Sequence, residues 1–128
     1  MQPVARTFIA LGSINAALAV ILGAFGAHAL KARLSPEMLS VYHTASQYQF
    51  YHALGMLLVA ALASQLNNSG ALRLSGFLML AGVVLFSGSL YLLAVTGVTW
   101  LGAITPLGGL AFIAAWVVLA YAALRAAS

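Results

Sequence analysis

The stretch LSGFLMLAGVVLFSGSLYLLAV, residues 74–95, contains no charged side chain over its whole length. A helix needs about 20 predominantly apolar residues to cross a bilayer core about 30 Å thick. Residues 8–30 and residues 101–124 have the same apolar character, and each is followed directly by a Lys or an Arg. These three stretches predict membrane-spanning helices, so lipid is the expected solvent of the protein.

The composition of the whole chain agrees with this prediction. Of the 128 residues, 64% are hydrophobic and only 5% carry a charge, whereas about a quarter of the residues in a soluble domain are charged. Cysteine is absent, which excludes a disulfide framework and a thiolate metal site. The net charge of +4 comes from scattered positions: Arg6, Lys31, Arg33, Arg73 and Arg125. Without a clustered basic face, no nucleic-acid partner is expected.

A further helix is predicted between residues 8–30 and residues 74–95. Residues 35–37, Ser-Pro-Glu, favour a helix start with Ser35 as the N-cap. The next breaker is the Asn-Asn-Ser-Gly turn at residues 67–70, so this helix can supply a span over about residues 44–65. Its polar first half, Tyr42 to Gln49, is expected in the membrane interface or inside the bundle.

The predicted fold is therefore an all-α integral membrane protein with one transmembrane domain over residues 1–128. Its four spans cover residues 8–30, 44–65, 74–95 and 101–124. The connections are short, so each helix must run antiparallel to its predecessor, which gives an up-down-up-down bundle. The N-terminus resembles a cleavable signal peptide, but the apolar run is of span length, which favours retention. Three Lys or Arg residues on the terminal side against two on the other favour cytoplasmic termini.

Helix two carries the richest polar group in the chain: Tyr42, His43, Gln47, Tyr48, Gln49, Tyr51 and His52. At 100° per residue, His43, Gln47 and Tyr51 share one face. Tyr48 and His52 share a second face. We interpret the group as an aromatic and amide belt, with His52 hydrogen-bonded inside the bundle. A proton relay through His52 is an alternative, although no acidic side chain lies at mid-membrane depth to support it.

The histidines also permit a ligand hypothesis. His28 and His43 flank the first predicted hairpin at similar depth, and His52 lies about 13 Å deeper along its helix. Such imidazoles can bind haem or a metal ion. However, Glu37 is the only carboxylate side chain, so no second acid can orient a ligating imidazole.

Small residues recur at spacings of three or four along the first helix: Gly12, Ala16, Ala19, Gly23 and Ala27. The third helix carries Gly82, Ser87, Gly88 and Ser89, and the fourth carries Gly102, Gly108, Gly109 and Ala115. Small faces allow helix backbones to approach closely in lipid. We expect them to pack within the chain, with contact between subunits as the alternative. Asn15, Ser87 and Ser89 are expected to donate hydrogen bonds between helices.

Four segments, one for each helix, carry a family resemblance: residues 23–28 (GAFGAH), 47–52 (QYQFYH), 86–91 (FSGSLY) and 105–109 (TPLGG). Together they resemble the YgdD-type family of small four-span membrane proteins, a domain of unknown function. The resemblance implies the inner membrane and no established activity. Ala115 departs from the family's usual Gly before Trp116. The motif positions define a candidate polar cluster near the non-cytoplasmic end of the bundle: His28, Gln47, Tyr48, His52, Ser87, Ser89, Tyr91 and Thr105.

The leading hypothesis is a non-enzymatic structural or accessory protein without a cofactor, which packs with itself or with a larger membrane complex. Residues 87–89, Ser-Gly-Ser, lack the strand–turn–helix context of a hydrolase nucleophile, and aspartate is absent. The alternative is a small transporter or channel that acts as an oligomer, with a water-filled path lined by His28, Tyr48, His52 and Tyr91. A haem or metal protein that uses His28, His43 and His52 is a third hypothesis.

Overall fold

Four long helices account for most of residues 1–126, the part of the chain that the computed structural model describes. They are α1 (Pro3–Leu30), α2 (Pro36–Leu62), α3 (Ser69–Thr96) and α4 (Thr99–Leu124). Within these described residues every regular element is helical, as predicted. Each helix begins within a few residues of the end of the previous one, so the connecting loops are short.

The helix starts follow from local chemistry. The Ser35 side chain accepts a hydrogen bond from the Met38 amide at 3.1 Å, which confirms the predicted N-cap of α2. Asn68 caps α3 in the same way through the Ala71 amide at 3.0 Å. The turn predicted over residues 67–70 is therefore shorter than expected, because Ser69 and Gly70 already belong to the helix.

The ends of α3 and α4 also have clear physical causes. Gly97 terminates α3 with φ +72°, a left-handed conformation that glycine adopts without steric cost. The α4 helix opens with a tight turn over Thr99–Ala103. Pro106 follows in the first turn of the regular helix Thr105–Leu124, where its missing N–H is tolerated.

Two wide π-helical turns interrupt the long helices. One covers Ile21–Gly26 in α1, and the other covers Val83–Ser87 in α3. Each such turn shifts the direction of every following side chain around the helix axis. Side-chain directions predicted by counting 100° per residue therefore do not hold for residues that follow these turns. His28 follows the first turn, and Tyr91 follows the second.

Contacts between consecutive helices pair early residues of one with late residues of the next. Gly12 of α1 lies against Ala53 of α2, where an added Cβ would stand 2.8 Å from the Ala53 carbonyl oxygen. At Gly108 of α4 an added Cβ would overlap the backbone nitrogen of Phe86. At these two positions a small residue allows helix backbones to approach closely within the chain, whereas an added Cβ at Gly88 or Gly109 would meet its nearest atom at 3.9 Å.

The apolar core lies where α1 and α3 begin and where α2 and α4 end. Its buried side chains are Val4, Phe8, Met56, Val59, Ala60, Ala63, Leu72, Met79, Val83, Phe112, Ala115 and Leu119. A smaller buried cluster of Ala27, Tyr42 and Ala94 lies toward the loops at residues 31–35 and 97–98. The two ends of the molecule are therefore packed with different side chains.

Among the described residues, α1, α3 and α4 are long and apolar enough to cross a membrane. This is one fewer than the four spans predicted. The α2 helix has 27 residues, which is long enough to cross a bilayer. It differs in composition, because the segment Gln47-Tyr48-Gln49 and His52 interrupt its apolar residues.

Candidate functional site

A chain of three polar side chains joins α1, α2 and α3. The Tyr91 hydroxyl donates to Gln49 Oε1 at 2.8 Å, and Gln49 Nε2 donates to Asn15 Oδ1 at 3.2 Å. Asn15 Nδ2 in turn donates to the Leu11 carbonyl at 2.9 Å. We call Asn15, Gln49 and Tyr91 the amide network. Asn15 was expected to donate a hydrogen bond to another helix; it instead accepts one from Gln49 and donates within α1.

Tyr42 adds a second link beside the amide network. Its hydroxyl donates to the Leu22 carbonyl at 2.6 Å, so it ties the start of α2 to the wide turn in α1. Its ring also meets the Tyr91 ring edge to face at a centroid distance of 5.1 Å, a favourable aromatic geometry. Tyr42 is only 3% exposed, so both contacts are shielded from the surroundings.

His52 and Trp116 form a separate pair between α2 and α4. Trp116 Nε1 donates to His52 Nε2 at 3.0 Å, and an indole nitrogen can only donate. Nε2 must therefore be the unprotonated nitrogen, which leaves the proton on Nδ1. That nitrogen lies 2.8 Å from the Tyr48 carbonyl oxygen and donates to it. His52 is thus a neutral imidazole with both nitrogens engaged.

Aromatic rings surround this histidine–tryptophan pair. The Phe112 ring stacks on the His52 imidazole with a centroid distance of 3.6 Å and an interplanar angle of 9°. Phe112 also contacts Phe86, and Phe86 contacts Tyr48 at 4.7 Å. The rings come from three helices, α2, α3 and α4. His52 is consequently 5% exposed and held in one orientation.

Two hydroxyls connect α3 to the start of α4. Ser89 Oγ donates to the Phe86 carbonyl at 3.0 Å and lies 2.6 Å from Thr105 Oγ1. Because the single Ser89 proton goes to the carbonyl, Thr105 is the donor of the second bond. Ser87, two residues earlier, is fully buried, and its hydroxyl has no hydrogen-bond partner within the described chain.

The structure divides the predicted polar cluster. Tyr91, Ser89, Thr105 and His52 each make a contact between helices, as described above. His28 is exposed and makes no hydrogen bond or ring contact with these residues within the described region. It follows the wide turn Ile21–Gly26, which rotates it away from the direction expected for an uninterrupted helix.

Two further members of the predicted cluster differ from the buried ones. Gln47 is exposed, and Tyr48 is 38% exposed. Gln47 makes no side-chain hydrogen bond among residues 1–126. Ser87 was expected to form a hydrogen bond to another helix, but its hydroxyl has no hydrogen-bond partner within residues 1–126. No function is established for any of these positions, so the functional cluster remains a prediction.

Other residues of the site were missed by the sequence reasoning. Gln49 and Tyr42 were recognised only as part of a polar belt. Trp116 and Ser75 were not considered, although Ser75 donates to the Ala115 carbonyl at 2.8 Å. A signal existed for Trp116, because an indole N–H within an apolar span needs an acceptor. Only a few polar side chains in this chain could supply one.

The geometry does not fit a haem or metal site built from the three histidines. His28 and His43 are both exposed, while both nitrogens of His52 are engaged in hydrogen bonds. Across residues 1–126 there is no group of three His, Cys, Asp or Glu side chains placed to hold a metal ion. The arrangement is suited to fixing helices in register.

Comparison with known proteins identifies the relatives of this chain. Residues 22–109 match the family described as protein of unknown function DUF423. The UPF0382 membrane protein YwdK of Bacillus subtilis (strain 168) is 55% identical over 120 residues, which is 94% of this chain and 98% of the relative. The chain belongs to the DUF423 family.

Other relatives match this DUF423 member over the same share of its length. A UPF0382 membrane protein of Staphylococcus epidermidis (strain ATCC 12228 / FDA PCI 1200) is 47% identical over 120 residues, covering 94% of this chain and 97% of the relative. One of Staphylococcus aureus (strain USA300) is 43% identical with the same coverage. No solved structure matches the chain. The prediction of a helical membrane protein from a family of unknown function is confirmed.

Proposed function

We propose that this DUF423 protein is a non-enzymatic structural or accessory component of the membrane. The observation that carries the proposal is the use of its buried polar side chains. The amide network, the histidine–tryptophan pair and the Ser89–Thr105 contact each join two or three helices. Their donors and acceptors are occupied by one another. They are therefore suited to holding the bundle in one arrangement.

The alternative of a transporter receives less support from the same geometry. It requires a water-filled path lined by His28, Tyr48, His52 and Tyr91. His28 lies apart from the other three, and His52 is covered by the Phe112 ring. Two open grooves on the protein are lined by other residues. The buried side chains of Asn15, Gln49 and His52 instead form contacts between helices.

Thermal unfolding of His52→Ala in detergent tests the structural role of the histidine–tryptophan pair. The substitution leaves the Trp116 N–H without an acceptor and removes the ring that stacks on Phe112. We expect the unfolding temperature to fall by roughly 5 °C. His43→Ala is the matched control, because His43 is exposed on the same helix. Equal unfolding temperatures for the two variants would contradict the proposal.

We further infer that all four helices cross the bilayer in up-down-up-down order. At 1.5 Å per residue, α2 is about 40 Å long, more than the hydrocarbon core needs. Its least lipid-compatible buried side chains, Gln49 and His52, find their partners inside the bundle. The low hydropathy of α2 is therefore compatible with a span enclosed largely by protein.

The distribution of cations supports cytoplasmic termini, with Arg6, Arg73 and Arg125 on one side against Lys31 and Arg33 on the other. The bacterial relatives and the YgdD-type resemblance support the inner membrane as the location. On the strength of the four shared segments, we treat the YgdD-type proteins and this family as one group. The partners we propose are the bilayer and another membrane-embedded chain.

The absence of cysteine makes the topology directly testable. Single substitutions Gln2→Cys, Ser35→Cys, Asn67→Cys and Val98→Cys are labelled in intact cells with a membrane-impermeant maleimide. Four spans place positions 2 and 67 on the inside and positions 35 and 98 on the outside. Three spans without α2 would instead place positions 35 and 67 on the same side, so equal labelling there would overturn the inference.

A further inference from the structure

A groove between α1 and α2 opens on the outside of the bundle with a volume of about 260 Å³. Its lining residues are Ala19, Val20, Ser46, Gln47, Phe50 and Tyr51. Ala19 and Ser46 contribute short side chains to the lining, and Phe50 and Tyr51 contribute aromatic rings. Gln47 is exposed at its edge, and Tyr51 is 53% exposed.

The depth of this groove follows from the charges that flank α1. Arg6 precedes the apolar run of α1 and Lys31 follows it, and Ala19 and Val20 lie near the middle between them. Gln47 lines the same groove as these two residues. If α2 crosses the bilayer, as proposed above, the Gln47 amide therefore lies close to the bilayer midplane. Lipid there offers an amide neither a donor nor an acceptor.

The exposed residues of α2 continue as a stripe along this face. Gln47, Tyr51, Leu54 and Leu58 recur at intervals of four, three and four. This is the spacing by which two helices pack against each other along a left-handed seam. Within the described residues, none of these four side chains is buried by another helix. The stripe therefore has the spacing of a helix–helix interface, but no helix of the described chain packs against it.

We propose that this stripe is the contact surface for a second copy of the same chain. Two copies insert into the membrane in the same orientation, so a twofold axis normal to the bilayer brings equal residues to equal depth. Gln47 then meets Gln47 of the second copy. An amide carries two N–H donors and an acceptor oxygen, so the two Gln47 side chains can exchange a reciprocal pair of hydrogen bonds without any other polar group.

The groove beside the stripe fits the same arrangement. Ala19 and Ser46 leave space next to the protruding Tyr51 side chain. In a twofold pair, Tyr51 of each copy can enter the groove of the other. Small residues beside a polar side chain are the usual composition of helix interfaces in lipid. This inference rests on the proposed four-span arrangement and names the partner in the proposed function.

Disulfide crosslinking in membranes tests the contact, since the chain has no cysteine of its own. Gln47→Cys, Tyr51→Cys and Leu54→Cys are oxidised one at a time in membranes from cells that carry two differently tagged copies. We expect a product at twice the monomer mass that contains both tags. Ile113→Cys on α4 is the control, because Ile113 is 62% exposed on another face and should give none.

Equal crosslinking at positions 113 and 47 would overturn the proposal, and so would a product that joins this chain only to a different protein. Gln47→Leu provides a second measurement, the dissociation constant of the dimer in detergent. We expect about tenfold weaker association on loss of the amide pair, and an unchanged constant would count against it. Maleimide labelling of the loops separates a failure of the dimer from a failure of the four-span arrangement.

Discussion

The two ends of the bundle are held together by different interactions. At one end, α1 and α3 begin and α2 and α4 end, and the contacts are those of Phe8, Met56, Leu72 and other apolar side chains. Toward the loops at residues 31–35 and 97–98, the contacts include hydrogen bonds from Tyr42, Tyr91 and Thr105. We call these the apolar end and the polar end.

The difference shows how a bundle in lipid can be specified. Apolar side chains gain little from leaving lipid, so the apolar end depends on close packing and dispersion. A hydrogen bond between helices has direction and length, so it fixes which residues face each other. The apolar end thus supplies contact area, while the polar end fixes the register of α1, α2 and α3.

The largest effect is expected at the apolar end. Phe8 is fully buried and meets the Phe77 ring edge to face at 5.0 Å. Phe8→Ala leaves a cavity and should lower the free energy of unfolding by about 3 kcal/mol, measured by reversible unfolding in mixed micelles. The control is Phe25→Ala, since Phe25 is 72% exposed. If both variants lose the same stability, close packing does not dominate at this end.

A smaller effect is expected for the amide network of the polar end. Gln49→Leu removes two hydrogen bonds between helices, and at roughly 0.6 kcal/mol each the loss is about 1 kcal/mol. Gln47→Leu is the matched control, because Gln47 is exposed on the same helix. Its unfolding free energy, measured at a protein concentration where the chain is monomeric, should stay unchanged. A stable Gln49→Leu variant would show that the network does not fix the register.

The smallest expected effect is a difference in unfolding free energy between variants of two serines on α3. Ser89→Ala removes the acceptor of Thr105 and should cost about 0.6 kcal/mol. Ser87→Ala removes a buried hydroxyl that has no partner in the described structure, so it should be neutral or slightly stabilising. The difference between the two unfolding free energies is the quantity to measure. A greater loss for Ser87→Ala would indicate a polar contact at that hydroxyl.

Much of the fold could be predicted because its determinants are local. The apolar stretches, the Ser35 cap and Gly97 act within a few residues of themselves, so their consequences are visible in the sequence. The wide turns at Ile21–Gly26 and Val83–Ser87 were not predicted. The first of them carries a contact that the local sequence does not contain, the hydrogen bond from Tyr42 of α2 to the Leu22 carbonyl.

The candidate site was predicted less well than the fold. Polar side chains on α2 were identified, but their partners were not, because partners come from helices distant in sequence. Gln49 contacts Asn15 and Tyr91 across two helix interfaces. His28 was placed with the cluster as a motif position near the end of α1, but its side chain is exposed and follows the wide turn in α1.

The sequence by itself determined that the protein is helical, that lipid is its solvent and where most helices begin and end. Each of these depends on composition or on neighbouring residues. The tertiary structure decided which polar side chains of α2 are buried and which are exposed. Hydropathy cannot separate Gln47 from Gln49, since both are the same residue two positions apart. Only the positions of α1 and α3 give Gln49 its partners and leave Gln47 on the outer face.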